Sequence, residues 1–282
     1  MDIHGKVAIV TGGADGIGRA IVEQLLIKGA KAVTILDVNV ETGEKTLEEL
    51  RQEYGEDRLV FVKCDVSEAT LLEAAFASTK SRFGGLDIVC NNAGIGNEFK
   101  LDLCVAVNLV KRAWVRVNGA PGKDSILVIF TQTAVIRGTY LAVEHMGTKN
   151  GGNGGVVINT ASTSGFYAIP LSPIYVATKH GVVGFTRSVA KEPMVVDNGV
   201  RVSAICPGVT KTSIIDLKDV DEKSRYGNIL RKVFKNPQGM TPTDVAISVI
   251  TMIEDTKYDG STCMVTHKTP LEIVDQPNIV MT

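Results

Sequence analysis

The segment that most constrains this chain is a short apolar run, 7–10. It leads straight into Thr11-Gly12-Gly13-Ala14-Asp15-Gly16-Ile17-Gly18 and then into a helical pattern. Strand, glycine-rich turn and helix in direct succession open a βαβ unit. Gly12, Gly16 and Gly18 let the backbone turn tightly and approach a ligand with no Cβ in the way. The helix that follows offers free N–H groups and the positive end of its dipole, a seat for a diphosphate. Asp15 and Ile17 lie inside this turn and share its predicted contact with a dinucleotide. The spacing is Gly-x3-Gly-x-Gly rather than the GxGxxG of other dinucleotide folds. A purely structural turn also uses glycines, so the weight rests on the strand–turn–helix context.

Six further β-branched apolar runs follow, at 33–36, 59–62, 86–90, 156–159, 200–205 and 263–266. Near-continuous apolarity over four to six residues fits strands covered on both faces, hence a parallel sheet. Amphipathic stretches at 17–28, 41–54, 69–83, 174–191 and 242–254 read as helices. The last opens with Thr241, Pro242 and Asp244, a capping-box signature. The alternation predicts an α/β fold: a doubly wound, Rossmann-type parallel sheet of about seven strands with helices on both faces. In 282 residues no shift of composition and no repeat marks a boundary, so 1–282 is read as one domain. The polar, weakly periodic stretch 210–239 follows a strand end and reads as a substrate flap.

Thirty basic against 31 acidic side chains leave a net charge of −1. There is no basic excess to hold a nucleic acid or an anionic membrane. No apolar run approaches the roughly 20 residues of a membrane span. The opening MDIHGKVAIV lacks the basic leader, long apolar stretch and cleavage site of a secretory signal. The five cysteines (Cys64, Cys90, Cys104, Cys206, Cys263) are scattered without metal-ligand spacing, the usage of reduced thiols in the cytoplasm. Four histidines (His4, His145, His180, His267) show no triad and no metal pattern.

The strand ends carry the remaining cofactor candidates. Asp37 closes the second run, about twenty residues after the turn, where a carboxylate accepts from both ribose hydroxyls and repels a 2′-phosphate. This favours NAD over NADP, with a solvated strand-end aspartate as the other reading. Asp65 and Val66 follow the third run, beside an adenine edge or in a plain loop. Asn91-Asn92-Ala93-Gly94 follows the fourth, where small residues and amides suit the crevice at the carboxyl ends of strands. An ordinary turn is the alternative there.

Tyr175 and Lys179 lie one helical turn apart on one face, and Ser162 stands just past the fifth run. An ammonium near a phenol stabilises the phenolate and lowers its pKa. Such a phenol exchanges a proton with a substrate alcohol near neutral pH. Alone, Tyr-x3-Lys is common on surface helices; joined to an upstream serine and a dinucleotide turn, it points to chemistry.

These residues together resemble the short-chain dehydrogenase/reductase family. The matching pieces are TGGADGIG at 11–18, Asp37, Asp65-Val66, NNAG at 91–94, Asn108, Ser162, Tyr175-x3-Lys179 and Pro207-Gly208, spread over nearly the whole chain. Through GGNGGVVINTAS, YVATKHGVVGFTRS and VRVSAICPG it is similar to NAD-dependent hydroxyprostaglandin dehydrogenases and insect alcohol dehydrogenase-like proteins. The resemblance implies hydride transfer between NAD and a small or lipid-like secondary alcohol or ketone. It makes Tyr175 the general base, Lys179 the nicotinamide-ribose ligand, Ser162 the partner of the substrate oxygen and Asn108 the anchor of a water. Asn91 and Gly94 would line the adenosine side, Thr212 would meet the carboxamide, and Ala93, Pro207, Gly208, Val209 and Thr210 would also bind the cofactor. A homodimer through the helix that carries Asn108 is also implied. Three residues before Tyr175, hydroxyprostaglandin dehydrogenases carry a glutamine; Ser172 here is shorter and argues against a prostaglandin substrate. The rival from another class is a non-catalytic NAD-binding or storage protein with the same fold.

The stretch 110–132, VKRAWVRVNGAPGKDSILVIFTQ, interrupts this pattern. Gly119, Pro121 and Gly122 do not suit a helix interior, and 126–130 is a β-prone apolar pentad. Without it the chain reads VAVNLTAVIRGTYLAVEHM, one amphipathic helix. Valine codons begin GT and one glutamine codon is CAG, so an intron translated in frame would begin with Val and end with Gln. We read 110–132 as an anomalous insertion of that origin.

Overall fold

The computed structural model describes residues 1–94, 133–169, 173–212 and 239–274. The insertion 110–132, Asn108, Ser172 and nearly all of the flap 210–239 lie outside the described residues.

The chain alternates strand and helix from its start. The elements are β1 (Val7–Thr11), α1 (Gly16–Ile27), β2 (Ala32–Asp37), α2 (Val40–Tyr54), β3 (Leu59–Lys63), α3 (Ala69–Phe83) and β4 (Ile88–Asn91). After the gap come α4 (Thr133–Met146), β5 (Gly155–Thr160), α5 (Pro173–Val189), β6 (Val200–Pro207), α6 (Pro242–Glu254), β7 (Thr262–Val265) and β8 (Glu272–Ile273). The sheet order is β3-β2-β1-β4-β5-β6-β7-β8. All neighbours are parallel except β7–β8, which pair antiparallel. The order reverses between β1 and β4, the switch point where ligands bind in such sheets.

Burial explains the unbroken apolar runs. Every residue of β1, β4 and β5 is buried. On one face Ala8, Val10, Ile88, Ile158 and Ile205 pack with Ile21, Leu25, Val249 and Ile253 of α1 and α6. On the other, Ile9, Val89 and Val157 pack with Phe76 of α3 and Val143 of α4. Val182 and Val183 of α5 join Ala204 and Cys206 of β6. Helix ends follow their caps. Asn39 accepts from Thr42 N at 3.1 Å to start α2, and Thr241 and Asp244 form the expected capping box on α6.

One element departs from expectation. The sheet has eight strands, because Glu272 and Ile273 add an antiparallel edge. This pair is two residues long and exposed, so neither apolarity nor alternation marks it in the sequence.

Candidate active site

At the first strand's end, Thr11 ties two loops together. Its Oγ1 accepts from Asn92 N at 2.9 Å and from Ala93 N at 3.0 Å. Asn92 Nδ2 donates back to the carbonyls of Thr11 at 3.2 Å and Gly12 at 3.3 Å. The glycines are required by space as well as by dihedral angle. Gly12 has φ +62°, and a Cβ there would stand 3.0 Å from Ala93 Cα. Gly16 has φ +55° and faces Thr212, whose Cγ2 would lie 3.3 Å from such a Cβ. Thus the turn after β1 and the segment after β6 approach each other at the carboxyl edge of the sheet.

The other predicted cofactor residues stand at or just after the same carboxyl ends of the strands. Asp15 caps α1 by accepting from Gly16 N at 2.7 Å. Ile17 packs, half-buried, on the core. Asp37 accepts from Ala14 N at 3.2 Å and Asn39 N at 3.0 Å, and a carboxylate retains further lone pairs for a diol. Asp65 accepts from Ser67 N and Oγ at 2.9 and 2.7 Å, and Val66 is buried beside it. Gly94, half-buried, is the last described residue after β4. Past β6, Gly208 N donates to Val265 O at 2.8 Å and Thr210 Oγ1 to Gly208 O at 3.0 Å. Pro207 is buried and Val209 exposed.

The chemical residues converge at the ends of β5 and β6. Ser162 caps a short 3-10 turn, Thr163–Gly165; its Oγ accepts from Ser164 N at 3.1 Å and approaches Pro207 O at 3.5 Å. Lys179, only 6% exposed, donates from Nζ to Thr160 O at 3.0 Å. The same Nζ lies 5.5 Å from the centroid of the half-buried Tyr175 ring. A buried cation at this distance stabilises a phenolate more than it would in water. Behind them burial pushes the Cys206 thiol up to about 12, against the pull of Lys179 and of the Ser162 N–H. It stays a neutral wall rather than a nucleophile.

Asn91 directs its side chain into the sheet, leaving its backbone at the carboxyl end of β4. Its Nδ2 donates to Asn159 Oδ1 at 2.9 Å inside the sheet–helix packing. Strand alternation is the reason: Asn91 faces α4 and α5, and Asn92, one residue on, faces the glycine turn. Thr11 and Asn92 stood within the quoted motifs, yet only the paired ends of β1 and β4 reveal their bonding. Among the described histidines, His180 Nδ1 meets Val176 O at 2.9 Å on an exposed face. His145 packs on Phe76, and burial lowers its pKa. Among the described residues no group of three or more His, Cys, Asp or Glu is placed to hold a metal, and no helix is long and apolar enough to cross a membrane.

Comparison with known proteins agrees with this geometry. The family model described as short chain dehydrogenase matches residues 6–223. The chain is 36% identical over 279 residues to the 15-hydroxyprostaglandin dehydrogenase [NAD(+)] of Homo sapiens, covering 98% of this chain and 96% of that one. It is 38% identical over 214 residues to the 3beta-hydroxysteroid dehydrogenase 2 of Eggerthella lenta, covering 75% and 74%. Among solved structures, a short chain dehydrogenase/reductase from Burkholderia phymatum in complex with NAD superposes with TM-score 0.74 at 22% identity, covering 94% of this chain and 90% of that one. Levodione reductase gives 0.71 at 25% identity, covering 93% and 96%. With the glycine turn, the strand order and the Ser162, Tyr175 and Lys179 cluster in one frame, the chain belongs to the short-chain dehydrogenase family.

Proposed function

We propose that the protein transfers a hydride between NAD and a secondary alcohol or its ketone. The observation that carries this is the buried Lys179 ammonium 5.5 Å from the Tyr175 ring, on the edge where Ser162 also stands. The glycine turn suits a dinucleotide: a Cβ on Gly12, Gly16 or Gly18 would crowd the turn or the segments beside it. Asp37 supports NAD over NADP, since its charge would oppose a 2′-phosphate.

When bound, NAD supplies the hydride acceptor. The chain's residues do the rest. The glycine turn and the first N–H groups of α1 hold the diphosphate. Asp37 takes the ribose hydroxyls, Asp65 and Val66 meet the adenine, and Ala93 and Gly94 border the adenosine. Thr212 and the stretch from Pro207 to Thr210 face the nicotinamide side. Lys179 binds the second ribose and lowers the pKa of Tyr175. Ser162 donates to the substrate oxygen and orients the carbinol carbon. Tyr175 Oη takes the hydroxyl proton as the C–H electron pair departs, and Asn108 anchors a water that returns that proton to solvent. Ser172 and the lipid-like family substrates support an apolar alcohol that is not a prostaglandin. A cytoplasmic homodimer completes the reading, supported by the scattered cysteines without metal-ligand spacing and by the family resemblance of the sequence around Asn108.

The test is NADH absorbance with a panel of secondary alcohols, wild type beside Tyr175→Phe. Turnover in wild type and its loss in the variant are expected. A panel in which neither protein reduces NAD would contradict the proposal.

A further inference from the structure

Two consecutive residues of β5 grip α5 at two points. Thr160 O accepts from Lys179 Nζ at 3.0 Å. One residue earlier, Asn159 Nδ2 donates to Thr186 Oγ1 at 3.0 Å. Lys179 and Thr186 are seven residues apart, two turns and about 10 Å along one helix face. Asn159 and Thr186 are both fully buried at 0% exposure. The Asn159 amide is in turn fixed on its other side. Its Oδ1 accepts from Asn91 Nδ2 at 2.9 Å and from Thr139 Oγ1 of α4 at 3.4 Å.

Apolar contacts hold α5 to the sheet without direction. Val182 and Val183 would tolerate a small slide of the helix along its axis, because area burial is insensitive to it. A hydrogen bond from a rigid amide is not tolerant, since its geometry fails within a few tenths of an ångström. The Asn159–Thr186 bond is therefore a fully buried directional contact that, with the bonds of Lys179 to Thr160 O and of Arg187 to Thr262, fixes how high α5 stands on the sheet.

We propose that Asn159, acting through Thr186, is a positioning residue of the active site: it sets the height of α5 on β5 and so keeps Lys179 Nζ bonded to Thr160 O, the contact that fixes where the ammonium stands beside the Tyr175 ring of its own helix. The inference rests on Tyr175 being the proton acceptor. The other ionisable groups around it, among the described residues, are accounted for. Arg187 of α5 stacks on Phe166 at 5.3 Å and donates to Thr262. His180 faces Val176 O on the exposed side. Arg137 of α4 donates to Ser67 O. Cys206 of β6 stays neutral. A change in Tyr175 ionisation thus reads the placement of Lys179.

The test compares Thr186→Val, which removes the acceptor at nearly constant volume, with Thr186→Ser, which keeps it. Two readouts serve, both on the full chain. One is the acid limb of kcat/KM for alcohol oxidation against pH. The other needs no turnover: the tyrosinate absorbance of the cofactor-free protein against pH, minus that of Tyr175→Phe. Thr186→Val is expected to move both midpoints to higher pH by about half a unit or more, and Thr186→Ser to restore them. A Thr186→Val protein that melts earlier but titrates like wild type would overturn the proposal. Should valine prevent folding, Thr186→Cys, a weak acceptor of serine's size, gives the same comparison. Absence of wild-type turnover with a shifted absorbance titration would refute the functional reading and leave the positioning role standing. Turnover with unshifted midpoints would do the reverse.

Discussion

Gly18 stacks directly on Gly12: a Cβ built on Gly18 would stand 1.9 Å from the Gly12 carbonyl oxygen. No rotamer relieves such a clash, because both partners are backbone. Gly18→Ala must therefore shift the turn. The expected cost is about 1–3 kcal/mol of stability and at least tenfold weaker NADH binding, read by denaturant melts and by NADH fluorescence titration. Gly184→Ala is the matched control. It lies on the exposed side of α5 with nothing within 4 Å of the added methyl, and should stabilise by about 0.5–1 kcal/mol. Unchanged NADH affinity in Gly18→Ala would contradict the assignment of the turn.

Asp37 holds the turn and sets cofactor charge at once, accepting from Ala14 N and Asn39 N. Asp37→Ser removes the negative charge. The ratio of kcat/KM for NAD over NADP should fall by about ten- to a hundredfold, about 1.4–2.7 kcal/mol. A ratio that does not move would place the 2′-hydroxyl elsewhere.

The capping box on α6 predicts an acid-dependent loss of stability. The Asp244 carboxylate accepts from Thr241 N at 2.7 Å and from Thr241 Oγ1 at 2.8 Å, and these bonds hold its pKa below the ordinary value. A pKa lowered by folding gives stability that is present above the unfolded value, about 3.9. It fades as the pH falls through the lower folded value. Asp244→Asn should melt slightly earlier than wild type at pH 7, with the gap closing as the pH falls through the lowered folded value of Asp244. Thr241→Ala should cost about 1 kcal/mol at neutral pH.

Helix α4 is described from Thr133, the residue that follows the stretch 110–132 in the sequence. Joining Leu109 to Thr133 restores a continuous amphipathic pattern and removes an apolar pentad at 126–130 that promotes association. The shortened chain should give more soluble protein and higher specific activity. Equal specific activity in both chains, or these codons in the dominant transcript with no intron at that place in the gene, would refute the reading.

Much of this was legible in the linear sequence for a physical reason. Strands buried on both faces must be apolar throughout, so β1, β2, β4, β5 and β6 announced themselves. Thr241 and Asp244 named a helix start because a capping box is local. The active-site set was legible because Tyr175 and Lys179 are one turn apart on one helix. What was hidden depends on which strand lies beside which. Asn91 and Asn159 meet only through the β4–β5 register, and Thr186 joins them from a helix packed on top. No spacing rule reports such partners. The edge strand β8 was invisible because Glu272 and Ile273 are a two-residue exposed pair with no apolar run or alternation.

The most direct measurement is the pH–rate profile of NAD reduction by Lys179→Met beside wild type. The side chain keeps its apolar stem and loses its charge, so packing is largely preserved. Turnover is expected to fall by about 10²–10⁴ near neutral pH, with the residual rate recovering only as rising pH ionises Tyr175 unaided. A variant whose rate matches wild type from acid to alkaline pH would show that the Lys179 charge does not poise Tyr175.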